Sequence, residues 1–343
     1  MISTKELKVA VIGGGTGLST MLRGLKTVTR DITAIVAVSD DGGGSGVLRQ
    51  ELGMLPPGDV RNCLVALANV EPIMEKLLTY RFPDGGLSGQ CFGNLFLAAL
   101  DGISDSFDQA VSRMGEVLAI TGRVLPVTNA DVHLEAVFEN GSIVRGESHI
   151  KPRKKDESCR IRRIKLIPAR PPALPGVLAA LRAADLIVIG PGSLYTSIIP
   201  NLLVEGVVET ITKSDALKVY VCNVMTQEGE TEGYTAADHL RALMMHATRR
   251  LVDVTLVNTA VVPDTLLEKY KREGAEPLAV DPGDFDKLGV KLIGQPLVSE
   301  SATYARHDPA LLTRALMALF MEERALPGGY AREDNEISDS SAG

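Results

Sequence analysis

The chain has no tryptophan, and only 4% of its residues are aromatic although 45% are hydrophobic. A core without large rings must be filled by Val, Ile, Leu and Ala, which suits a β-branched parallel sheet covered by helices and argues against an all-β sandwich. Positive charge is also short, with 36 Lys and Arg against 43 Asp and Glu and a formal net charge of −7. Nucleic acid is therefore not an expected partner, because it asks for a basic surface. The four cysteines, Cys63, Cys91, Cys159 and Cys222, never fall at C-x-x-C spacing. Neither a zinc site nor a disulfide framework is indicated, and a reducing, cytoplasmic setting is expected. The first residues lack a signal-type pattern, and no uncharged apolar run approaches the ~20 residues that span a bilayer, so no membrane insertion is expected. Gly-Lys-Ser/Thr, Gly-x-Ser-x-Gly and His-Glu-x-x-His are all missing, which excludes a P-loop, a nucleophile elbow and a zincin helix.

What is present reads as alternating strands and helices. Lys8 to Ile12 is an apolar run stopped by glycines, and Leu18 to Leu25 repeats apolar residues at helical spacing. Ile32 to Val38 is a second buried-type strand. Helices are expected after Pro57-Gly58, with Asp59 as N-cap, after a first-turn Pro72, and over Asn94 to Leu100, where apolar residues run nearly all round. From about Leu125 the period changes. Residues 133 to 138 and 143 to 150 read as strands around a type I′ Asn140-Gly141 turn, and Arg160 to Ile167 alternates charged and apolar residues like a strand with one wet face. Nine Lys or Arg between Lys151 and Arg170 read as solvated charges on an exposed sheet edge. The alternation then resumes, with strands over Leu186 to Ile189, Lys218 to Cys222 and Val254 to Val257, a helix over Thr235 to Ala247, late strands near Leu278 and Leu292, and a closing helix over Ala310 to Glu322. His239 and His246, two turns apart on the Thr235 helix, read as ordinary surface positions. The expected architecture is a single Rossmann-like α/β domain over 1–326, mostly parallel, with an antiparallel β-rich lobe inserted at 125–170. A tail at 327–343 has the composition of disorder.

The residues that carry chemistry collect at strand ends. Gly13-Gly14-Gly15-Thr16-Gly17 lies between a strand and a helix, where backbone N–H groups and the helix dipole favour an anion. The dinucleotide fingerprint is incomplete, because Leu18 stands where its third glycine belongs. Asp40 and Asp41 end the second strand, where an acid can hydrogen-bond ribose, hold Mg²⁺ or prepare a base. Gly42-Gly43-Gly44-Ser45-Gly46 adds a second flexible turn beside them. Gly190-Pro191-Gly192-Ser193-Leu194-Tyr195-Thr196-Ser197 and Asn223 with Thr226-Gln227-Glu228-Gly229 place further polar groups after later strands. Arg306 precedes Asp308-Pro309, an N-cap followed by a first-turn proline, and is expected to reach the crevice and pair with a diphosphate, since neither glycine turn supplies a Lys or Arg.

Taken together, these four motifs resemble the gluconeogenesis factor family, within the CofD-like superfamily that includes 2-phospholactate transferase. The resemblance runs from about Lys8 to about Leu319 and extends to Gly229-Glu230-Thr231 and Tyr234-Thr235-Ala236. It implies a Rossmann-like fold, a cytoplasmic protein, binding of UDP-sugars such as UDP-N-acetylglucosamine or of NAD(P)-type dinucleotides, and a role in cell shape and growth on gluconeogenic carbon. Where the transferase branch has Asn-Thr-Gly-Asp-Asp this chain has Val38-Ser39-Asp40-Asp41-Gly42, which sets it outside the deazaflavin pathway. Gln90 stands where the family has His, while Gly93-Asn94 is retained.

The expected site is Gly14, Gly15, Thr16, Gly17, Asp40, Asp41, Gly43, Gly44, Ser45, Asn94, Gly190, Gly192, Ser193, Tyr195, Thr196, Asn223, Thr226 and Arg306. A nucleotide-type small molecule is the expected partner. Two functions follow: a ligand-binding regulator, or a phospho-group transferase with Mg²⁺ on Asp40 and Asp41. A homo-oligomer and a protein that reads the bound state stay open.

Overall fold

The computed structural model describes residues 6–157, 159–299 and 303–325. The tail expected to be disordered lies outside them. Three inner strands of the main sheet, at 9–13, 32–36 and 186–189, are mainly apolar and buried along their whole length, as a sheet covered on both faces requires. The first half runs β1 (Val9–Gly13), α1 (Gly15–Leu25), β2 (Ile32–Val36), α2 (Gly43–Leu52), α3 (Gly58–Leu67), α4 (Pro72–Thr79), α5 (Phe92–Gly102), α6 (Phe107–Val117) and β3 (Arg123–Pro126). A lobe follows, built from β4 (His133–Phe138), β5 (Ile143–Arg145), α7 (Glu147–Glu157) and β6 (Ile161–Ile167). The second half adds α8 (Pro175–Ala183), β7 (Leu186–Ile189), a π-type turn over Leu194–Ile198, α9 (Ile199–Leu202), α10 (Val207–Lys213), β8 (Leu217–Val221) and α11 (Ala236–Ala247). It closes with β9 (Val254–Asn258), α12 (Asp264–Arg272), α13 (Pro282–Leu288), β10 (Lys291–Gln295) and α14 (Pro309–Ala325).

Seven strands form one parallel sheet in the order β10-β9-β8-β7-β1-β2-β3, and the lobe carries a separate antiparallel sheet, β5-β4-β6. With the lobe strands left out, this is the doubly wound order. The chain leaves β1 for β2 and β3 on one side, then returns to β7 on the other, so the crevice opens at the carboxyl ends of β1 and β7. The fold is the Rossmann-like α/β class expected from the sequence. α1 sits beneath this point, packed on α3 and α14.

Several local expectations are corrected. Residues 147–150 are helical, because Gly146 takes a positive φ of 91° that ends β5. The Asn140-Gly141 turn is not type I′. Gly141 N–H donates to Phe138 O and only Gly141 has positive φ, so it is a type I turn closed by a glycine bulge. The stretch after Asp41 is the first turn of α2 rather than a flexible loop. Asp59 is in the first turn of α3, after Pro57 as N-cap. Only Gly93, Asn94 and Leu97 of α5 are buried. Leu278 lies between two isolated bridges and not in a strand. His239 and His246 are buried: His246 Nε2 accepts from Ile164 N–H at 2.9 Å and Nδ1 donates to Ala242 O.

Candidate ligand-binding site

A cleft of about 710 Å³ opens at the switch point, lined by the ends of β1, β2, β7 and β8, by α7 of the lobe, and by the loop before α14. Of the residues expected from sequence, Gly14, Gly15, Thr16, Gly17, Asp40, Gly192, Ser193, Thr196, Asn223, Thr226 and Arg306 line it.

Close packing explains the glycines. A Cβ at Gly17 would come 2.8 Å from Pro191 O, and one at Gly14 would come 2.5 Å from Asp59 Oδ2. The two loops and α3 therefore touch the turn through its backbone. Asp59 accepts the Gly15 N–H, which places a carboxylate at the N-terminus of α1. The next first-turn amides, those of Thr16 and Gly17, have no acceptor inside the helix.

The loop after β7 is held by the loop after β8. Asn223 brackets Gly192, its Oδ1 accepting from Gly192 N–H at 3.1 Å and its Nδ2 donating to Gly192 O at 2.8 Å. Ser193 Oγ donates to Gln227 Oε1. Glu230 accepts from Tyr195 N–H, Thr196 Oγ and Gln227 Nε2. Gly190 precedes this loop with a φ of 77°, and Tyr195 points away from the cleft, its hydroxyl near Ile161 O and Tyr234.

Other expected residues serve the frame. Asp40 Oδ1 accepts from Gly42 N–H at 2.9 Å and Ser45 also bonds its carboxylate. Asp41 turns to the lobe and accepts the Ser148 N–H of α7 at 2.8 Å. The two carboxylates thus serve different partners, and among the described residues no group of three or more His, Cys, Asp or Glu is arranged to hold a metal ion. Gly43 and Gly44 begin α2, and Asn94 Oδ1 accepts from Arg61 Nε beneath it. The buried Gln90 lies beside Gly44, outside the cleft lining.

Three acids outside the expected set face the same cleft: Asp59, Glu147 and Glu230. Burial is the largest cause of their perturbation, and neighbouring carboxylates add to it. Asp59 is pushed up to about 6, with Asp40 contributing, and Glu230 up to about 7. Glu147 rises well above the usual carboxylate range, and Asp40 rises too, against hydrogen bonds that oppose the shift. The facing cations are Lys151, paired with Glu228 at 3.3 Å, and Arg306, stacked 5.0 Å from the Tyr304 ring. Glu230 belongs to the Gly229-Glu230-Thr231 motif, which could have found it. Glu147 has no such signal, because only the lobe's folding brings it to the cleft.

A doubly wound sheet with a polar cleft at its switch point and two glycine-rich strand ends defines a Rossmann-like α/β protein with a candidate ligand site. The family model described as 2-phospho-L-lactate transferase CofD matches residues 9–298. The gluconeogenesis factor of Bacillus subtilis is 48% identical over 316 residues, covering 92% of this chain and 98% of that protein. The one from Halalkalibacterium halodurans is 50% identical over 314 residues, covering 91% and 96%. A crystal structure of a UPF0052 family member from Bacillus halodurans superposes with a TM-score of 0.87 at 50% identity, covering 91% of this chain and 99% of that one. The chain belongs to the gluconeogenesis factor family within the CofD-like group.

Proposed function

We propose that this protein is a cytoplasmic ligand-binding regulator that takes a UDP-sugar of the UDP-N-acetylglucosamine type in the switch-point cleft. In this reading it couples that ligand to cell shape and to growth on gluconeogenic carbon. The observation that carries the binding half is the convergence, on one cleft, of the first turn of α1, whose Thr16 and Gly17 amides have no acceptor inside the helix, and the guanidinium of Arg306. Diphosphate oxygens suit that combination of backbone donors and one cation. Native mass spectrometry of the purified protein, before and after adding UDP-N-acetylglucosamine or NAD, tests it. A mass increase of one UDP-sugar that NAD does not displace is expected, and an unchanged mass in a folded protein contradicts it.

The second reading, a phospho-group transferase, is favoured by the match to the CofD model and by the proximity of Asp40 to Asp59, whose proton affinity it raises. Carboxylates of this kind can hold Mg²⁺ or accept a proton from an acceptor hydroxyl. Turnover of a phosphorylated donor that disappears in Asp40→Asn, with ligand affinity retained, supports this reading over regulation.

A further inference from the structure

Aromatic side chains are scarce in this chain, with seven Tyr and seven Phe, yet Tyr80, Phe82, Phe92 and Phe96 fall within one short stretch and none of the four is buried. They belong to one surface. α4 buries only Leu78 and turns Ile73, Leu77 and Tyr80, spaced at i, i+4 and i+7, outward with Met74 beside them. The chain then returns through a backbone-bonded bridge: Arg81 pairs with Cys91, Phe82 N–H donates to Gln90 O, and Phe92 N–H donates to Tyr80 O. α5 packs on α4, carries Phe92, Leu95, Phe96 and Leu100 half-buried, and ends beside the exposed Ile103. Tyr80 meets Phe82 edge to face at 5.2 Å and Phe92 stacks on Phe96 at 6.2 Å, so the rings hold one another in place.

This stripe is large for a surface left in water. Ile73, Met74, Leu77, Tyr80, Leu87 and Ile103 are each between 37% and 73% exposed. At ~200 Å² per large side chain they present about 600 Å² of apolar area. The largest apolar patch on an ordinary monomer is about 300–600 Å². One side of a standard interface covers ~800 Å², little more than half of it apolar, so the stripe supplies what one half of a stable dimer needs.

The rim selects the partner. From Glu71 to Asp105 the cations are Lys76 and Arg81, against Glu71, Glu75, Asp84, Asp101 and Asp105. An anionic lipid surface would be repelled. Lys76, Glu71 and Asp84 are exposed and form no ion pair among the described residues. With both signs on the rim of one apolar face, a copy related by a two-fold axis can match cation to acid, each contact being made twice.

We infer that the α4–α5 face is a self-association surface that takes a second copy of this chain across a two-fold axis, with Leu77 and Tyr80 midway along the buried stripe. α5 packs on α6 and α6 on β3, so the face lies at the β3 edge of the main sheet and leaves the β10 edge free.

Analytical ultracentrifugation of the intact chain and of its Ile73→Glu, Leu77→Glu and Val261→Glu variants tests this. The parent should sediment as a dimer at micromolar concentration. Ile73→Glu and Leu77→Glu should each weaken dimerisation by about 100-fold or more, because each places a pair of like charges in the interface. Val261, 87% exposed after β9 and toward the opposite edge, is the control, and its glutamate variant should dimerise like the parent. Hydrogen exchange over 73–103 should be slower in the dimeric parent than in monomeric Leu77→Glu. A parent that stays monomeric at its highest soluble concentration overturns the inference. So does a dimer that both glutamate variants, folded by circular dichroism, leave intact. A monomeric parent that co-sediments with phosphatidylglycerol vesicles would assign the face to a membrane instead.

Discussion

The carboxylate of Asp59 lies directly against Gly14, so close that a Cβ at Gly14 would stand 2.5 Å from Oδ2, and it accepts the Gly15 N–H. The glycine turn of this fold is therefore already served by an internal anion. Gly14→Ala should cost about 1–3 kcal/mol of stability in urea unfolding, the usual range for overpacking. In the double mutant with Asp59→Ala much of that cost should vanish, because the colliding atom is gone. Ser197 Cβ, 3.1 Å from the same methyl position, sets the residue that stays. Additive losses in the cycle would contradict the contact.

Glu230, on the loop after β8, ties that loop to the one after β7 through two accepted hydrogen bonds, from Tyr195 N–H and Thr196 Oγ. Its pKa is raised, to about 7 in the folded protein from an ordinary value of 4.5. The folded state thus binds more protons than the unfolded one between those values, and stability from this residue falls as pH rises from about 4.5 to 7. His239, His246 and His307, each pushed down to about 4 by burial, act with the opposite sign over an overlapping range. The parent's own pH curve mixes the two. The difference between Glu230→Gln and parent isolates the acid: the variant should gain stability relative to the parent across this window at up to ~1.4 kcal/mol per pH unit and level off above it. A pH-independent difference in chemical denaturation would contradict the assignment.

Gly229 has a φ of 82°, and a Cβ there would sit 2.7 Å from Lys151 Cβ and 2.9 Å from its Cα. α7 packs on this glycine. Gly229→Ala should therefore lift α7 from the cleft and speed hydrogen exchange over residues 147–157, beyond the ~1 kcal/mol expected for a residue forced into left-handed backbone. Lys151→Ala alone, which keeps the backbone contact, should not. Equal exchange in Gly229→Ala and parent would contradict the packing.

Much of this fold is legible in the sequence because it rests on local chemistry. β1 announces itself as an apolar run halted by glycine and β2 as one that ends at Ser39-Asp40-Asp41, and Asp308 caps α14 through Ala310 and Leu311 N–H groups as its Asp-Pro sequence suggests. α7 is not legible. Its residues include Pro152 and a run of charges without an apolar face, and what supports it is remote: Asp41 at its first turn and Gly229 under Lys151. Asp59 reads as a cap because it follows Pro57-Gly58. The helix starts one residue earlier, and the side chain is free to serve α1 instead. The two histidines of α11 read as exposed because their partners, Ile164 and Tyr220, come from strands far along the chain.

Arg306 makes no ion pair among the described residues and is held by stacking on Tyr304. Arg306→Ala should weaken UDP-N-acetylglucosamine binding by about 1.5–3 kcal/mol, the value of a charged hydrogen bond, with little change in melting temperature. Unchanged affinity would remove this residue from the site.

Binding of a UDP-sugar in the switch-point cleft is tested most directly by calorimetric titration of UDP-N-acetylglucosamine at pH 6 and pH 8. A diphosphate placed beside Asp59, whose pKa is already about 6, raises its proton affinity further, so binding should take up protons and tighten as pH falls. Saturable one-to-one heat, with higher affinity at pH 6, is the expected result. No heat at millimolar ligand at either pH, from protein shown to be folded, would contradict it.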